Sequence, residues 1–596
     1  MATQDKLDIL LKWFKDNQVE YEQESIDIRI KDGSFGVYAL KNLPSKKTVV
    51  KIPKENILSI RTTGIANILD DESIEGGCSL ALAVLYEMYQ GKDSPWYGYL
   101  QSLPVCEDLP IFWSDTEKSY FKGTEMEHAV ENDLQDLKDD YEDIVKPLLV
   151  KYPDVFPTEH FTFEQFQKVT TLVASRAFEV DAYHENAMVP FADIFNHRSG
   201  NEHVHFETDF EVCDACGALE YCEHQYLQFL ENDDNSENDQ EMEGSEGEWS
   251  DDDDDDDGEE EEGPLKDLEQ MELEGIDFWK EEDDDDDNKK DTCDMVLDRA
   301  AKKNEELFNT YGDHPSITLL NKYGFCYDNN PNDYISVSED NVVDLCLAVT
   351  KEMLRSEHKT MDDEALDALA VDRTRPRWEF FLLNESILCP SAEDEEQDMN
   401  EDDYEEDDDE HGHGHDNNDN DDDHEHDQDG GCCGGDDERG HQQGKSYFAN
   451  VEGLYEDTLT CLLHIMFVEQ SQFDKFIKDT QHAVDYFEKM ASGKKMADQW
   501  KMKKCVYQVC KALSEHRRQD YLDPQGKWIS VQDDFETRKK TTNKREYYAL
   551  TCRMNEKKII EKSIDYYDTM IQQCKPPTGS SGTKRKSNAK KIRKTK

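Results

Sequence analysis

No run of about eighteen apolar residues occurs in the 596-residue chain, so no membrane-spanning helix is expected. Met1-Ala2-Thr3-Gln4-Asp5 leads into an amphipathic pattern and not into an apolar leader core, so no secretory signal peptide is expected. No internal repeat is visible. Basic residues are scarce: 66 Lys and Arg stand against 139 Asp and Glu, a formal net charge of -73. That scarcity is local. Residues 231–292 hold 33 acidic and 4 basic residues, and 392–438 hold 25 acidic and none basic. Without these stretches 81 acidic and 62 basic residues remain, a net charge of -19. Runs such as Asp251 to Asp257 and Asp283 to Asp287 have no apolar area with which to offset chain entropy, so both stretches are expected to be disordered. Sixteen cysteines scattered over so long a chain argue for reduced thiols, not a disulfide framework.

The length allows two or three domains. Leu7, Ile9, Leu10, Leu11, Trp13 and Phe14 recur near helical period in residues 5–16, so a short helix opens the chain. Ile26 to Ile30 alternates as a strand; Gly33 and Gly36 are read as breaking it, and Val37 to Ala39 as resuming it. Val49 to Ile52 reads as the next strand. Residues 78–90, 128–150 and 163–178 read as helices, and from Met188 the chain returns to short strands. Leu454 to Phe473, Trp500 to Tyr521 and Lys544 to Tyr567 read as later helices. The last fifteen residues carry Lys584-Arg585-Lys586, Lys590-Lys591, Arg593-Lys594 and Lys596 with no acid. They are either a solvated tail or a nuclear-localisation or RNA-touching segment.

Two motifs point to chemistry. Asp193-Ile194-Phe195-Asn196-His197 follows the apolar run Met188 to Phe191, and Phe308-Asn309-Thr310-Tyr311-Gly312 ends a second run about a hundred residues later. Polar clusters inside apolar runs usually serve a site, because an unpaired buried Asn or His costs free energy. Together with Leu319 to Phe325, the pair resembles the signature motifs of SET-domain methyltransferases. Ser94-Pro95-Trp96, Tyr99-Leu100, Leu103-Pro104 and Pro110 to Ser114 are similar to the segment inserted in the Rubisco large-subunit methyltransferase type, whose relatives include fungal ribosomal-protein lysine methyltransferases.

This resemblance implies an α+β fold. A SET catalytic domain would span residues 1–345, with a helical insertion at about 65–185 and the acidic insert at about 231–292. An all-helical substrate-binding domain would span 346–570, interrupted by acidic residues at about 392–445, and a basic disordered tail would span 571–596. It also implies S-adenosylmethionine as cofactor and methyl transfer to lysine. Tyr311 matches the family's catalytic tyrosine, an aligner and not a general base. Gly33, Ser34 and Phe35 match the turn whose main chain touches the cofactor, with Ser34 standing where a glycine is common. Arg176 matches the arginine that pairs with the cofactor carboxylate. Asn196 and His197 match cofactor-bonding residues, Asp193 supports them, and Tyr323 and Phe325 approach the cofactor and the lysine channel. Ser316 stands near the place of a family asparagine, which leaves local packing and substrate choice open.

The expected partner is a basic protein, in particular a large-subunit ribosomal protein, with no membrane and no nucleic acid beyond the basic tail, in the cytoplasm or nucleus. Two alternatives stay open. One is a histidine acceptor on the same fold, against which Tyr323-Gly324-Phe325 leans. The other is a non-catalytic acidic chaperone. The acidic stretches either solubilise the chain or draw in a basic substrate. Cys213-x₂-Cys216-x₅-Cys222-x-His224 is either a closed structural zinc set or a reduced loop with incidental thiols. His411, His413 and His415, with His424 and His426, are read as passive.

Overall fold

The computed structural model describes residues 2–208, 212–219, 222–224, 226, 291–390, 445–492 and 499–575. The disorder expected of the two acidic stretches falls outside them, apart from Asp291, Thr292 and Lys445, and so does the basic tail from residue 576. Two compact units result, one from residues 1–106 and 146–311 and the other from 107–145, 312–429 and 433–596.

The first unit opens on helix α1 (Gln4–Asp16), which Thr3 caps and which buries Leu7, Leu10, Trp13 and Phe14. Its strands are β1 (Glu20–Tyr21), β2 (Ile26–Lys31), β3 (Ser34–Ala39), β4 (Thr48–Pro53), β5 (Ala177–Asp181), β6 (Glu185–Met188), β7 (Asn196–His197), β8 (Val204–Glu207), β9 (Thr292–Leu297) and β10 (Glu306–Asn309). One sheet runs β1-β4-β9-β8, another β2-β3-β10-β7, and β5 with β6 forms a hairpin. The β2–β3 turn is Asp32-Gly33, with φ of 51° and 85°, the two-residue geometry that an Asp-Gly pair favours. Gly36 does not break the strand as expected: it lies inside β3, opposite Arg29. β8 and β9, separated in sequence by the first acidic stretch, pair as antiparallel neighbours, with Phe206 opposite Met295. The chain thus leaves this sheet at β8 and re-enters it at β9 at adjacent strand ends. Helix α2 (Gly76–Gln90) packs along α3 (Phe163–Ala174), and Leu80, Leu82, Val84, Phe166 and Val173 fill the space between with almost no exposure.

The second unit is mainly helical. Its only described strands, β11 (Ile335–Ser338) and β12 (Ser446–Ala449), pair antiparallel. Its main helices are α4 (Ser316–Tyr323), α5 (Glu339–Glu357), α6 (Asp363–Leu382), α7 (Asp457–Phe467), α8 (Gln499–Arg517), α9 (Val531–Arg538) and α10 (Lys544–Gln573). Val342, Phe381, Leu462, Ile465, Phe476, Val509 and Ile560 form one core. The stretch before Phe325, not read as a helix from sequence, is helix α4, with Ser316, Leu319 and Leu320 on one buried face. Gly324 ends it at φ 76°, the left-handed conformation that favours glycine after a helix. Among the described residues no helix is long and apolar enough to cross a membrane.

Candidate active site

β7 is only two residues long, and its partner fixes what it does. It pairs in parallel with β10, placing Asn196 opposite Phe308 and His197 opposite Asn309. The chain just beyond β10 then turns so that the Tyr311 N–H donates to His197 Nδ1 at 2.8 Å. With Nδ1 accepting, the neutral ring carries its proton on Nε2, which lies 2.7 Å from Ser199 Oγ. The Tyr311 hydroxyl donates to the main-chain carbonyl of Phe195 at 3.1 Å. Its ring lies 5.0 Å from that of His197. Tyr311 is therefore held at its backbone by His197, 114 positions earlier, and at its hydroxyl by Phe195, 116 positions earlier.

Asn196 turns the other way. Its Nδ2 donates to Glu306 Oε1 at 2.8 Å and, more weakly, to the Phe35 carbonyl at 3.4 Å. Glu306 also accepts from the Tyr38 hydroxyl at 2.8 Å. Burial, then this bond to a carboxylate, pushes the Tyr38 phenol up to about 12. Gly36 lies against the same group: a Cβ there would stand 3.0 Å from Glu306 Oε1 and 3.2 Å from Asn196 Nδ2. A side chain at 36 would press on this network, whose members would have to give by a few tenths of an ångström. Gly33 sits in the preceding turn, Ser34 starts β3 and Phe35 pairs with Ile30.

A second cluster holds Arg176 and Asp193. Arg176 follows α3, where the helix expected to reach residue 178 has ended and β5 begins. Its Nη1 donates to Asp193 Oδ2 at 3.3 Å and to the Asp193 carbonyl at 3.2 Å. Tyr99 donates its hydroxyl to the same Oδ2 at 3.1 Å. Asp193 is nearly sealed, with a side chain 1% exposed against 24% for Arg176. Burial pushes its carboxyl up, against the opposing pull of Arg176 and Tyr99. Burial and then the neighbouring carboxylate raise the Tyr99 phenol well above its usual range.

Tyr323 and Phe325 belong to the second unit. Tyr323 closes α4, stacks with His314 at 6.2 Å, and burial pushes its phenol up to about 12. Phe325 follows Gly324, its N–H meeting the Leu319 carbonyl at 3.4 Å. Ser316 opens α4 by donating N–H and hydroxyl to Asp333, at 2.6 and 3.0 Å. The thiols of Cys213, Cys216 and Cys222 and a ring nitrogen of His224 all lie within 4.8 Å of one another.

Glu306, Tyr99 and Ser199 were not singled out from sequence. Glu306 has a weak signal: it is the second of two adjacent acids, Glu305-Glu306, that lead into Leu307-Phe308. Tyr99 stands in the segment read as a family marker, with nothing local to show that it reaches Asp193. Ser199 carries no signal.

No family model matches the chain. It is 27% identical over 366 residues to Ribosomal lysine N-methyltransferase 3 of Saccharomyces cerevisiae, covering 56% of this chain and 64% of that protein. It is 24% identical over 336 residues to the N-lysine methyltransferase setd6 of Salmo salar, covering 53% and 57%. The chain therefore spans less than two thirds of these relatives' length. Among solved structures, the SET domain of LSMT bound to lysine and AdoHcy matches with a TM-score of 0.56 at 13% identity, covering 96% of this chain and 93% of that one. Rubisco LSMT bound to AdoMet matches at 0.53 and 12%, with the same coverage. The fold is that of the SET-domain proteins. The α+β architecture and the resemblance read from the SET motifs are borne out.

Proposed function

We propose that this SET-domain chain is an S-adenosylmethionine-dependent protein-lysine N-methyltransferase. The observation that carries the reading is the clamp on Tyr311, held through its N–H by His197 and through its hydroxyl by the Phe195 carbonyl. The first unit's residues fit the cofactor. Asn196 bonds Glu306 beside the bare backbone of Gly36, and Arg176 offers a partly exposed cation for a carboxylate. The resemblance carries the same role to Gly33, Ser34 and Phe35, and to Tyr323 and Phe325 in the second unit. Residues 1–345 are proposed as the catalytic portion and 346–570 as the substrate-docking portion.

When bound, S-adenosylmethionine supplies a methyl group on a sulfonium. In-line displacement by a neutral amine asks little of protein acids or bases. It asks for alignment and for exclusion of competing water. Desolvation lowers a lysine pKa and so supplies the neutral amine. The Tyr311 hydroxyl hydrogen is engaged by the Phe195 carbonyl, which leaves its oxygen as an acceptor. That polarity suits an amine N–H or polarised methyl hydrogens. Tyr311 is therefore an aligner. Aromatic faces, here those of Tyr311 and His197, tolerate the passing positive charge.

The finer reading is a basic substrate, a large-subunit ribosomal protein, modified in the cytoplasm or nucleus. The yeast relative's name and the net charge of -73 support it. The full chain titrated with S-adenosylmethionine in a calorimeter should show one site per chain. Incubation with a ribosomal-protein mixture and methyl-labelled cofactor, followed by acid hydrolysis, should place the label in methyl-lysine. Label in methyl-histidine would overturn the acceptor. Binding of basic proteins without any transfer would leave a non-catalytic acidic chaperone instead.

A further inference from the structure

The loop that follows β8 is used by nothing described above. Residues 213–217 form a tight turn there. The Gly217 N–H donates to the Cys213 carbonyl at 2.7 Å and the Cys216 N–H to the same oxygen at 3.3 Å. Cys213 N–H in turn reaches the Ala218 carbonyl at 2.9 Å. Gly217 sits at φ 72°, and a Cβ there would meet the Tyr183 ring at 2.8 Å. Tyr183 lies in the β5–β6 turn, so the loop is seated on that hairpin. Cys222 and His224 return to the turn, with Cys222 Sγ 3.9 Å from His224 Nδ1.

From this geometry we propose that Cys213, Cys216, Cys222 and His224 bind one structural Zn²⁺ ion. Zinc–sulfur bonds of about 2.3 Å in a tetrahedron set ligand atoms about 3.8 Å apart. The four ligand atoms already lie within 4.8 Å of one another, so each need move by less than about 1 Å. Three sulfurs and one nitrogen fill all four positions, which leaves none for water or substrate. The ion is therefore structural, not catalytic. On binding, three S–H bonds break, three Zn–S bonds form with one Zn–N bond, and three protons pass to the buffer. No oxidant or reductant is needed. The role follows from position. The loop lies between β8 and the acidic stretch whose far end re-enters at β9, so the ion would pin the near root of that stretch to the β5–β6 hairpin.

The test is elemental analysis of the reduced full chain, purified without a histidine tag. About one zinc per chain is expected. Cys213→Ser/Cys216→Ser should lose it, whereas removal of 392–438, with its histidines and cysteines, should retain it. Cobalt substitution gives a second readout: strong thiolate-to-metal charge transfer in the wild type, weakened in Cys222→Ser and shifted in His224→Ala. This spectrum decides the matter even if the double variant fails to fold. Reduced wild-type protein that holds no zinc and shows no cobalt charge transfer would overturn the site. So would zinc that survives in the double variant and disappears with 392–438.

Discussion

The main-chain N–H of Tyr311 donates to His197 Nδ1 at 2.8 Å, from one residue just beyond β10 to the last residue of β7. A side chain thus holds a backbone, and that backbone sets where the Tyr311 ring begins. The hydroxyl end is fixed separately by the Phe195 carbonyl at 3.1 Å. Both anchors come from a single five-residue stretch, Asp193 to His197.

Tyr311→Phe removes only the hydroxyl. The backbone anchor at His197 remains, so the variant should fold and bind S-adenosylmethionine with an affinity within about twofold of wild type. Methyl transfer should slow by roughly 10- to 100-fold, equivalent to about 1.4–2.7 kcal/mol of transition-state stabilisation. Single-turnover transfer to a ribosomal-protein mixture measures it, and a rate within about threefold of wild type would remove Tyr311 from the reaction.

Arg176→Ala should do two things at once. It should weaken S-adenosylmethionine binding by roughly one to two orders of magnitude, the scale of a lost charge-assisted hydrogen bond. It should also lower the melting temperature, because the sealed Asp193 carboxyl loses its cation while keeping the Tyr99 hydroxyl, and an unpaired buried charge is costly. Adding Asp193→Asn should recover part of the melting temperature and none of the affinity. Calorimetry and thermal unfolding on the same samples separate the two effects. Recovery of affinity in the double variant would show that Arg176 acts only through Asp193.

What could be read from the sequence divides along physical lines. Asn196, His197 and Tyr311 were legible because they are polar residues set in apolar runs. Their clamp was not, since a hydrogen bond across 114 residues leaves no mark on either segment. Gly36 was read as a strand break, but a glycine inside a strand can equally mark close approach by another group. Here that group is Glu306, which nothing near Gly36 in sequence announces. The helix at Ser316–Tyr323 was missed because eight residues are too few for helical period to stand out against an apolar run. The Cys213–His224 grouping was legible from spacing alone, because turn geometry decides what a Cys-x₂-Cys pair can reach.

Lys54 and Asp181 form a salt bridge of 2.7 Å with side chains only 2% and 1% exposed. Burial alone would raise the Asp181 carboxyl, but hydrogen bonds from His184 and Lys54 hold it well below the usual carboxylate range. Lys54→Met leaves that carboxylate buried without its cation and should cost about 3–5 kcal/mol. Removing the exposed Lys12–Asp16 pair, 80% and 56% exposed, should change stability by less than about 0.5 kcal/mol. Urea unfolding of the two variants makes the comparison. Equal midpoints would mean that the buried pair does not hold the β5 end of the unit.

The last prediction concerns pH. In the second unit Arg517 reaches three carboxylates: Glu125 at 3.0 Å, Asp520 at 2.7 Å and Glu556 at 3.6 Å. One cation cannot compensate all three, and Glu556 is the most distant. Burial, then the charge of Glu125, pushes the Glu556 carboxyl up to about 8, with Arg517 and the Tyr521 hydroxyl opposing. Asp333 adds to the rise. In the unfolded chain a glutamate titrates near about 4.3, so the folded state binds the proton more tightly. The stability this group contributes is fully present below about 4.3 and is lost as pH rises through about 8. Glu556→Gln keeps an acceptor for Tyr521 and removes the titration. Denaturant midpoints of the wild type should therefore fall between pH 5 and 9 more steeply than those of the variant. The difference between the two curves isolates Glu556 from the Asp133 carboxyl, which burial pushes up to about 6 and which acts in the same direction. Parallel curves over that range would show that Glu556 is already ionised in the folded protein, with Arg517 committed to it.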